Sequence, residues 1–142
     1  MQIIELPMRR RGNSNSLQLA DILAVIHSND LIWSMLDFYG VGHPPGGMTM
    51  AEFEERVRAS ASGYRMSWFE LKAFANDLEQ TYDCTIVAVD SEEDLRAVAL
   101  DLESFERCRL MIRAFDSTKW EVGVDPNLEG MACVGEALNA LR

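Results

Sequence analysis

Histidine and cysteine, which build many metal and nucleophilic sites, are scarce in this sequence. The two histidines, His27 and His43, belong to no HxH, HExxH or CxxC spacing. The three cysteines, Cys84, Cys108 and Cys133, are odd in number, widely spaced and set in apolar segments. The sequence therefore predicts no disulfide framework, no metal centre and no cofactor, and the cysteines are expected to be reduced packing residues.

Long apolar runs and an excess of basic residues are also absent. No stretch approaches the ~20 apolar residues of a membrane span, and residues 1–7 lack the basic start and cleavage site of a signal peptide. We therefore expect a soluble, cytoplasmic protein without membrane contact. The 13 Lys and Arg against 23 Asp and Glu give a formal charge of −10. Such a charge disfavours nucleic-acid binding, and Arg9-Arg10-Arg11 is interpreted as a solvated turn.

The composition that remains is that of one globular domain. The 142 residues are 48% hydrophobic and 25% charged, which suffices for one core but not for two ordinary domains. The predicted fold is a single α+β domain over residues 1–142. Its mostly antiparallel sheet is expected to have about four strands covered on one face by helices.

Four segments have the composition of β-strands. Gln2–Leu6 is Ile-rich and stopped by Pro7, which favours an edge strand, and the β-branched run Cys84–Asp90 predicts a central strand. Cys108–Phe115 and Lys119–Val124 both alternate. A three-residue loop between them keeps one face apolar, whereas a two-residue turn mixes charge into both faces. The pairs that the longer loop predicts are Leu110–Val124, Ile112–Val122, Ala114–Trp120 and Arg113–Glu121.

Helices are predicted where a capping residue precedes an apolar face. Thr49 and Ser67 each stand three residues before a glutamate and between two apolar residues, as in a capping box with a hydrophobic staple. Ser91 is expected to begin a third helix and Asp125-Pro126 the last one. A further helix is expected over about Leu17–Ser28. The residues expected to face inward include Phe53, Val57 and Ala61 after Thr49, Leu71, Phe74, Leu78 and Tyr82 after Ser67, and Leu95, Val98, Ala99, Leu102 and Phe105 after Ser91.

Two segments are ambiguous. Leu31–Tyr39 has the aromatics of a strand but also the apolar spacing of a helix that Gly40 would end, and a helix is preferred. The loop Gly40–Gly47 is followed by Met48 where a phosphate-binding loop has Lys, and Thr49 is assigned to the cap of the next helix. Pro44 and Pro45 also remove two backbone donors. It is interpreted as a connector to the next helix, with partner contact as the alternative.

Negative charge is concentrated in one segment. Residues 83–106 contain eight acids and one base, Arg96, and so carry −7 of the total −10. On a helical wheel Leu100 points outward among acidic side chains, as the apolar centre of an acidic binding patch would. The alternative is a solvated helix face whose first acids favour the helix dipole. The residues predicted to bind a basic protein partner are Glu92, Glu93, Asp94, Leu100, Asp101 and Glu103.

The same part of the chain carries a family resemblance. Three stretches, GMTMAEFEERV, GYRMSWFELKAFANDLEQ and TYDCTIVAV, cover about residues 47–87. In them the chain resembles small acidic bacterial immunity proteins of polymorphic or contact-delivered toxin systems. The resemblance implies a stoichiometric inhibitor that covers the basic active cleft of a toxin, without identifying contact residues.

The sequence thus predicts a non-enzymatic binding protein, with two alternatives. One is a small cytoplasmic enzyme in which His43 pairs with Cys84 or Asp37 in a nucleophilic site. The other is a homo-oligomeric structural domain that associates through Trp33 or Trp68.

Overall fold

The computed structural model describes residues 1–9, 16–101, 104–128 and 133–142, which contain six strands and five α-helices. The strands are β1 (Gln2–Pro7), β2 (Ile32–Gly42), β3 (Tyr64–Met66), β4 (Leu78–Val89), β5 (Leu110–Phe115) and β6 (Lys119–Val124). The helices are α1 (Leu19–Ala24), α2 (Met50–Ala59), α3 (Trp68–Asn76), α4 (Glu92–Leu100) and α5 (Val134–Asn139), and a 3-10 turn spans Pro45–Gly47.

The strands form one antiparallel sheet in the order β1-β6-β5-β4-β2-β3. The α+β class is therefore confirmed, whereas the prediction of about four strands is wrong. β1 lies at an edge and β4 lies in the interior of the sheet, as their sequences predict. The two unpredicted strands are β2, which was assigned to a helix, and the three-residue β3.

Helices cover the two faces of the sheet unequally. α1, α2, α3 and α5 pack on one face, called here the inner face, and bury the main core. Of the described helices, α4 alone packs on the opposite, outer face, where Leu95 and Val98 meet Val87, Val89 and Met111. The prediction that helices cover only one face is therefore wrong.

The β5–β6 hairpin has the predicted register. Residues 116–118 form its three-residue loop, and all four predicted pairs are present. Asp116 and Ser117 adopt positive φ values of 45° and 58°, a region that Asp enters more readily than most residues. Their N–H groups donate to the Asp83 carboxylate at 2.8 Å and to the Tyr82 carbonyl at 2.9 Å. The neighbouring strand β4 therefore helps to hold the turn.

The predicted helix over Leu31–Tyr39 is wrong, because all of this segment after Leu31 lies in strand β2. The strand has apolar neighbours on both faces: Met35 is in the inner core, while Leu36 packs against the outer one. A register shift between Met35 and Asp37 then returns Phe38 to the inner face. Because the strand is buried on both sides and contains a bulge, its apolar residues recur at intervals of three, which resembles the period of a helix.

Hydroxyl caps begin three helices as predicted. The side-chain oxygens of Thr49, Ser67 and Ser91 accept the N–H three residues later at 3.2, 3.1 and 3.2 Å. The ends of the helices were predicted less well. α1 covers only Leu19–Ala24, and α3 ends at Asn76, so the predicted inward residues beyond it, Leu78 and Tyr82, belong to β4.

The C-terminal helix does not begin at Asp125-Pro126. The Asp125 carboxylate accepts the N–H of Asn127 at 2.9 Å, which closes a turn as Asp side chains often do. The described helix α5 begins at Val134. α4 ends at Leu100 rather than continuing to Phe105, and the expected inward residue Leu102 lies outside the described residues.

Candidate functional site

The predicted binding segment is a short helix on the outer face of the sheet. Leu95 and Val98 anchor α4 in the outer core. This packing directs Glu93 and Leu100, seven residues apart, toward solvent on the opposite side of the helix. Leu100 is 89% exposed, more than any other large apolar side chain among the described residues.

Leu100 borders a shallow depression of about 210 Å³. Ala61, which was expected to face the core, is instead exposed beyond the end of α2 and lines this depression with Ser62, Arg96 and Ala99. The surface around Leu100 therefore combines an exposed leucine with small side chains and one cation. Such a surface supplies apolar area at the centre of a contact.

Arginines from elsewhere in the chain neutralise part of the predicted acidic patch. Glu92 forms a bidentate pair with Arg65, 27 residues earlier. Asp94 caps α4 with Ser91 and lies 3.5 Å from a guanidinium nitrogen of Arg107. These two carboxylates are therefore committed to internal contacts, and the patch is less negative than its sequence indicates.

The other predicted binding residues differ in their surroundings. Glu93 is exposed, and its side chain forms no ion pair with the described residues. Asp101 is the exposed C-cap residue of α4, and Glu103 lies outside the described residues. Of the five predicted residues that the structure describes, Glu93 and Leu100 therefore form the part of the patch that is exposed and without an ion pair to another described residue.

A second ion-pair cluster fixes the segment after α4. The Arg109 guanidinium bonds to Asp90 and to Asp125, each at 2.7 Å. These two carboxylates raise the pKa of Arg109, while the Asn127 N–H and Arg109 lower the pKa of Asp125. The cluster joins the start of the α4 segment to the end of β6, so its acids serve the fold.

Beside α4, the outer face holds a groove that sequence reasoning missed. Side chains on one face of a strand recur every second residue. α4 covers Val87 and Met111 and leaves open Thr85 and Arg113, which pair two positions further along β4 and β5. The groove has a volume of about 350 Å³ and lies on the same side of the sheet as α4. Its lining includes Asp37, Tyr39, Asp83, Thr85, Arg113 and Phe115.

Aromatic rings and an arginine give this groove its chemistry. The Arg113 guanidinium lies 4.6 Å from the ring centroid of Phe115 and 5.3 Å from that of Phe105, within cation–π range. Tyr39 is 55% exposed, and its ring centroid is 5.1 Å from that of Tyr82. Tyrosine and arginine are enriched among residues that contribute most to protein–protein affinity.

Carboxylates lie beside these rings. Asp83 accepts the Asp116 N–H, whereas the Asp37 side chain has no hydrogen bond or ion pair with the described residues. The sequence did contain a signal for this site. Asp37, Tyr39 and Val41 alternate with buried residues of β2, but the helix prediction concealed the period of two.

The proposed nucleophilic pair is not brought together. Cys84 lies on the inner face opposite Phe38, whereas His43 lies five residues further along the chain, beyond the end of β2. At ~3.3 Å per residue this separates them by on the order of 15 Å. Cys84 is also buried, and burial raises the pKa of its thiol to about 12. The two tryptophans proposed for self-association, Trp33 and Trp68, are both buried, and their ring centroids are 5.3 Å apart.

The glycine-rich segment leads into α2. β2 continues to Gly42, and Gly46 and Gly47 in the following turn have φ values of 70° and 71°, which favour glycine. Thr49 then caps α2 with its hydroxyl. Within the described ranges, no three His, Cys, Asp or Glu side chains are grouped as metal ligands.

No protein-family model, curated protein or solved structure matches this chain. None of the described helices has the length and apolarity that a membrane crossing requires.

Proposed function

We propose that this chain is a non-enzymatic binding protein that captures a basic protein partner on the outer side of its sheet. Its proposed role is that of an immunity protein that inhibits a cognate bacterial toxin. One observation carries the binding proposal: α4 covers only part of the outer face and leaves Tyr39, Arg113 and Phe115 open beside Asp37, whose carboxylate has no ion pair with the described residues.

The binding surface proposed here has two adjoining parts. The groove supplies aromatic area and Arg113, and the outward side of α4 supplies Leu100 and Glu93. Aromatic and arginine side chains at the centre of an interface with charges around them match the usual anatomy of protein–protein contacts. Glu92 and Asp94 are assigned here to α4 and its ion pairs rather than to the partner.

Charge supports a basic partner. The chain carries −10 in total, so a cationic protein is attracted from a distance, while exposed carboxylates on the binding side orient it. A toxin whose cleft binds phosphate groups presents such a cationic surface. The resemblance of residues 47–87 to acidic immunity proteins supports the same role.

The test uses the basic protein that co-purifies with the tagged chain. We expect Tyr39→Ala to weaken the complex at least tenfold, about 1.4 kcal/mol, because it removes an exposed aromatic anchor. Glu93→Lys is expected to slow association several-fold at low salt and less at high salt, because it acts through steering. Surface plasmon resonance measures both rates.

A charge-matched control separates the surface from the total charge. Glu136 is exposed on α5, which packs on the inner side beside β1, so Glu136→Lys is expected to leave both rates unchanged. Co-expression of the partner tests the immunity role: the wild-type chain is expected to protect growth and the Tyr39→Ala chain to protect it less. Equal kinetics for all three variants and wild type would contradict the proposed surface, and a partner without toxicity would contradict the immunity role.

A further inference from the structure

A cavity at one end of the sheet is separate from the proposed partner surface. It lies where β1 ends, β4 begins and the β5–β6 loop turns, and its volume is about 270 Å³. This is just below the usual range for ligand pockets, roughly 300–1,000 Å³, and is far larger than the space of one water. Its polar lining residues are Arg9, Ser16, Gln18, Gln80, Thr81 and Ser117.

Thr81 is the unusual residue in this lining. Its side chain is only 2% exposed, and its hydroxyl has no hydrogen-bond partner among the residues that the structure describes. Ser34, the other buried polar residue of the described chain, donates its hydroxyl to the Ser62 carbonyl at 2.6 Å. The large majority of buried side-chain polar groups are bonded, so the Thr81 hydroxyl is a bonding position that the described part of the chain leaves unused.

The described lining of the cavity is opposite in charge to the protein. Among the described residues no carboxylate lines it, and Arg9 is the one charged lining residue, although the whole chain carries −10. The Arg9 side chain forms no ion pair with the described residues. Hydroxyl and amide groups supply the other donors. A set of one guanidinium and several neutral donors suits an oxyanion, because an anion accepts from every one of them.

We propose that this cavity binds a small ligand bearing a single oxyanion, a phosphate or a carboxylate. Arg9 contacts the oxyanion, and Thr81 donates its hydroxyl from the inner side. Arg9-Arg10-Arg11, interpreted from the sequence as a solvated turn, then has a binding role through its first residue. This proposal does not depend on the partner-binding function, because it uses different residues at the end of the sheet.

Inorganic phosphate and acetate are the probes. At equal ionic strength against chloride, one of the two is expected to raise the melting temperature of the wild-type chain and to show saturable binding by calorimetry. The probe that binds more tightly identifies the oxyanion as phosphate or carboxylate. Arg9→Gln is expected to weaken binding at least tenfold, and Thr81→Val several-fold, because each removes a donor to a charged group.

Two controls make the result specific. Arg96→Gln removes an equal charge from the exposed side of α4 and is expected to retain full binding, and Thr81→Ser is expected to retain most of it. Stabilisation by excluded salts acts on every variant alike. An equal response of wild type, Arg9→Gln and Thr81→Val would overturn the proposal, as would saturation by neither probe.

Discussion

The inner face of the sheet is buried under α1, α2, α3 and α5, whereas the outer face is buried where α4 packs on β4 and its neighbours β2 and β5. Under α4 the strands present Val87 and Met111, and beyond it they present Thr85 and Arg113. The same two strands thus pass from a packed core to an open groove within two residues. The difference shows how this fold separates stability, which depends mainly on the inner face, from exposed chemistry on the outer face.

The largest expected effect comes from removing a side chain from the inner core. Trp120 is 1% exposed, and its indole N–H donates to the Leu17 carbonyl at 3.0 Å. Trp120→Ala creates a large cavity and leaves that carbonyl without its partner. We expect a loss of about 3–5 kcal/mol in the free energy of unfolding, measured by urea denaturation followed by circular dichroism.

Tyr39→Ala is the matched comparison on the outer face, where the expected loss is below about 0.5 kcal/mol because the ring is exposed. If the two variants lost similar stability, the division between an inner face for stability and an outer face for contact would fail.

An intermediate effect is expected in the outer core. The side chain of Leu95, a residue of α4, is fully buried between this helix and the sheet, in a hydrophobic cluster much smaller than the inner core. Leu95→Ala is expected to cost about 2–3 kcal/mol, the lower part of the range for such substitutions, because α4 lies at the surface and can settle into the space. Denaturation measures the loss.

Hydrogen exchange shows which part of the molecule Leu95→Ala destabilises. Amides of α4 are expected to exchange faster in this variant, while those of β4 and β5 retain most of their protection. Equal acceleration across the sheet would mean that the two cores unfold as one unit and would weaken the comparison.

The sequence predicted those features of the structure whose interacting residues are close together along the chain. The β5–β6 register was predicted because it follows from alternation and the length of one loop. The caps at Thr49, Ser67 and Ser91 are equally local. β2 was mistaken for a helix because it is an interior strand with apolar neighbours on both faces, and a bulge disrupts its period of two.

The candidate site was predicted only in part, for the same reason. The exposed positions of Glu93 and Leu100 followed from the helical period of α4. The pairing of Glu92 with Arg65 spans 27 residues, and no local pattern indicates it. The groove requires β2, β4 and β5 to lie side by side, so it emerges only when the order of the strands is known.

The test with the smallest expected effect at neutral pH involves the thiols, because they change the stability only at alkaline pH. Burial raises the pKa of Cys84, on the inner face, and of Cys108, in the outer core, to about 12. A thiol exposed by unfolding has a pKa near 9.0, so the folded chain holds these protons more tightly. The free energy of unfolding is therefore expected to decline as the pH rises from about 9 toward 12. The decline is expected to be less steep in Cys84→Ala, because this variant lacks one of the two buried thiols.

Alkylation at pH 8 tests the accessibility of the two faces through the order in which the three cysteines react. Cys133 is exposed and is expected to react with iodoacetamide first. Cys108 is expected to follow when α4 opens, and Cys84 last, because the inner core opens at the highest free energy. Mass spectrometry of the labelled peptides gives each rate. If Cys84 reacted as fast as Cys133, the inner face would be accessible at this strand, and a nucleophilic role for this thiol would regain support.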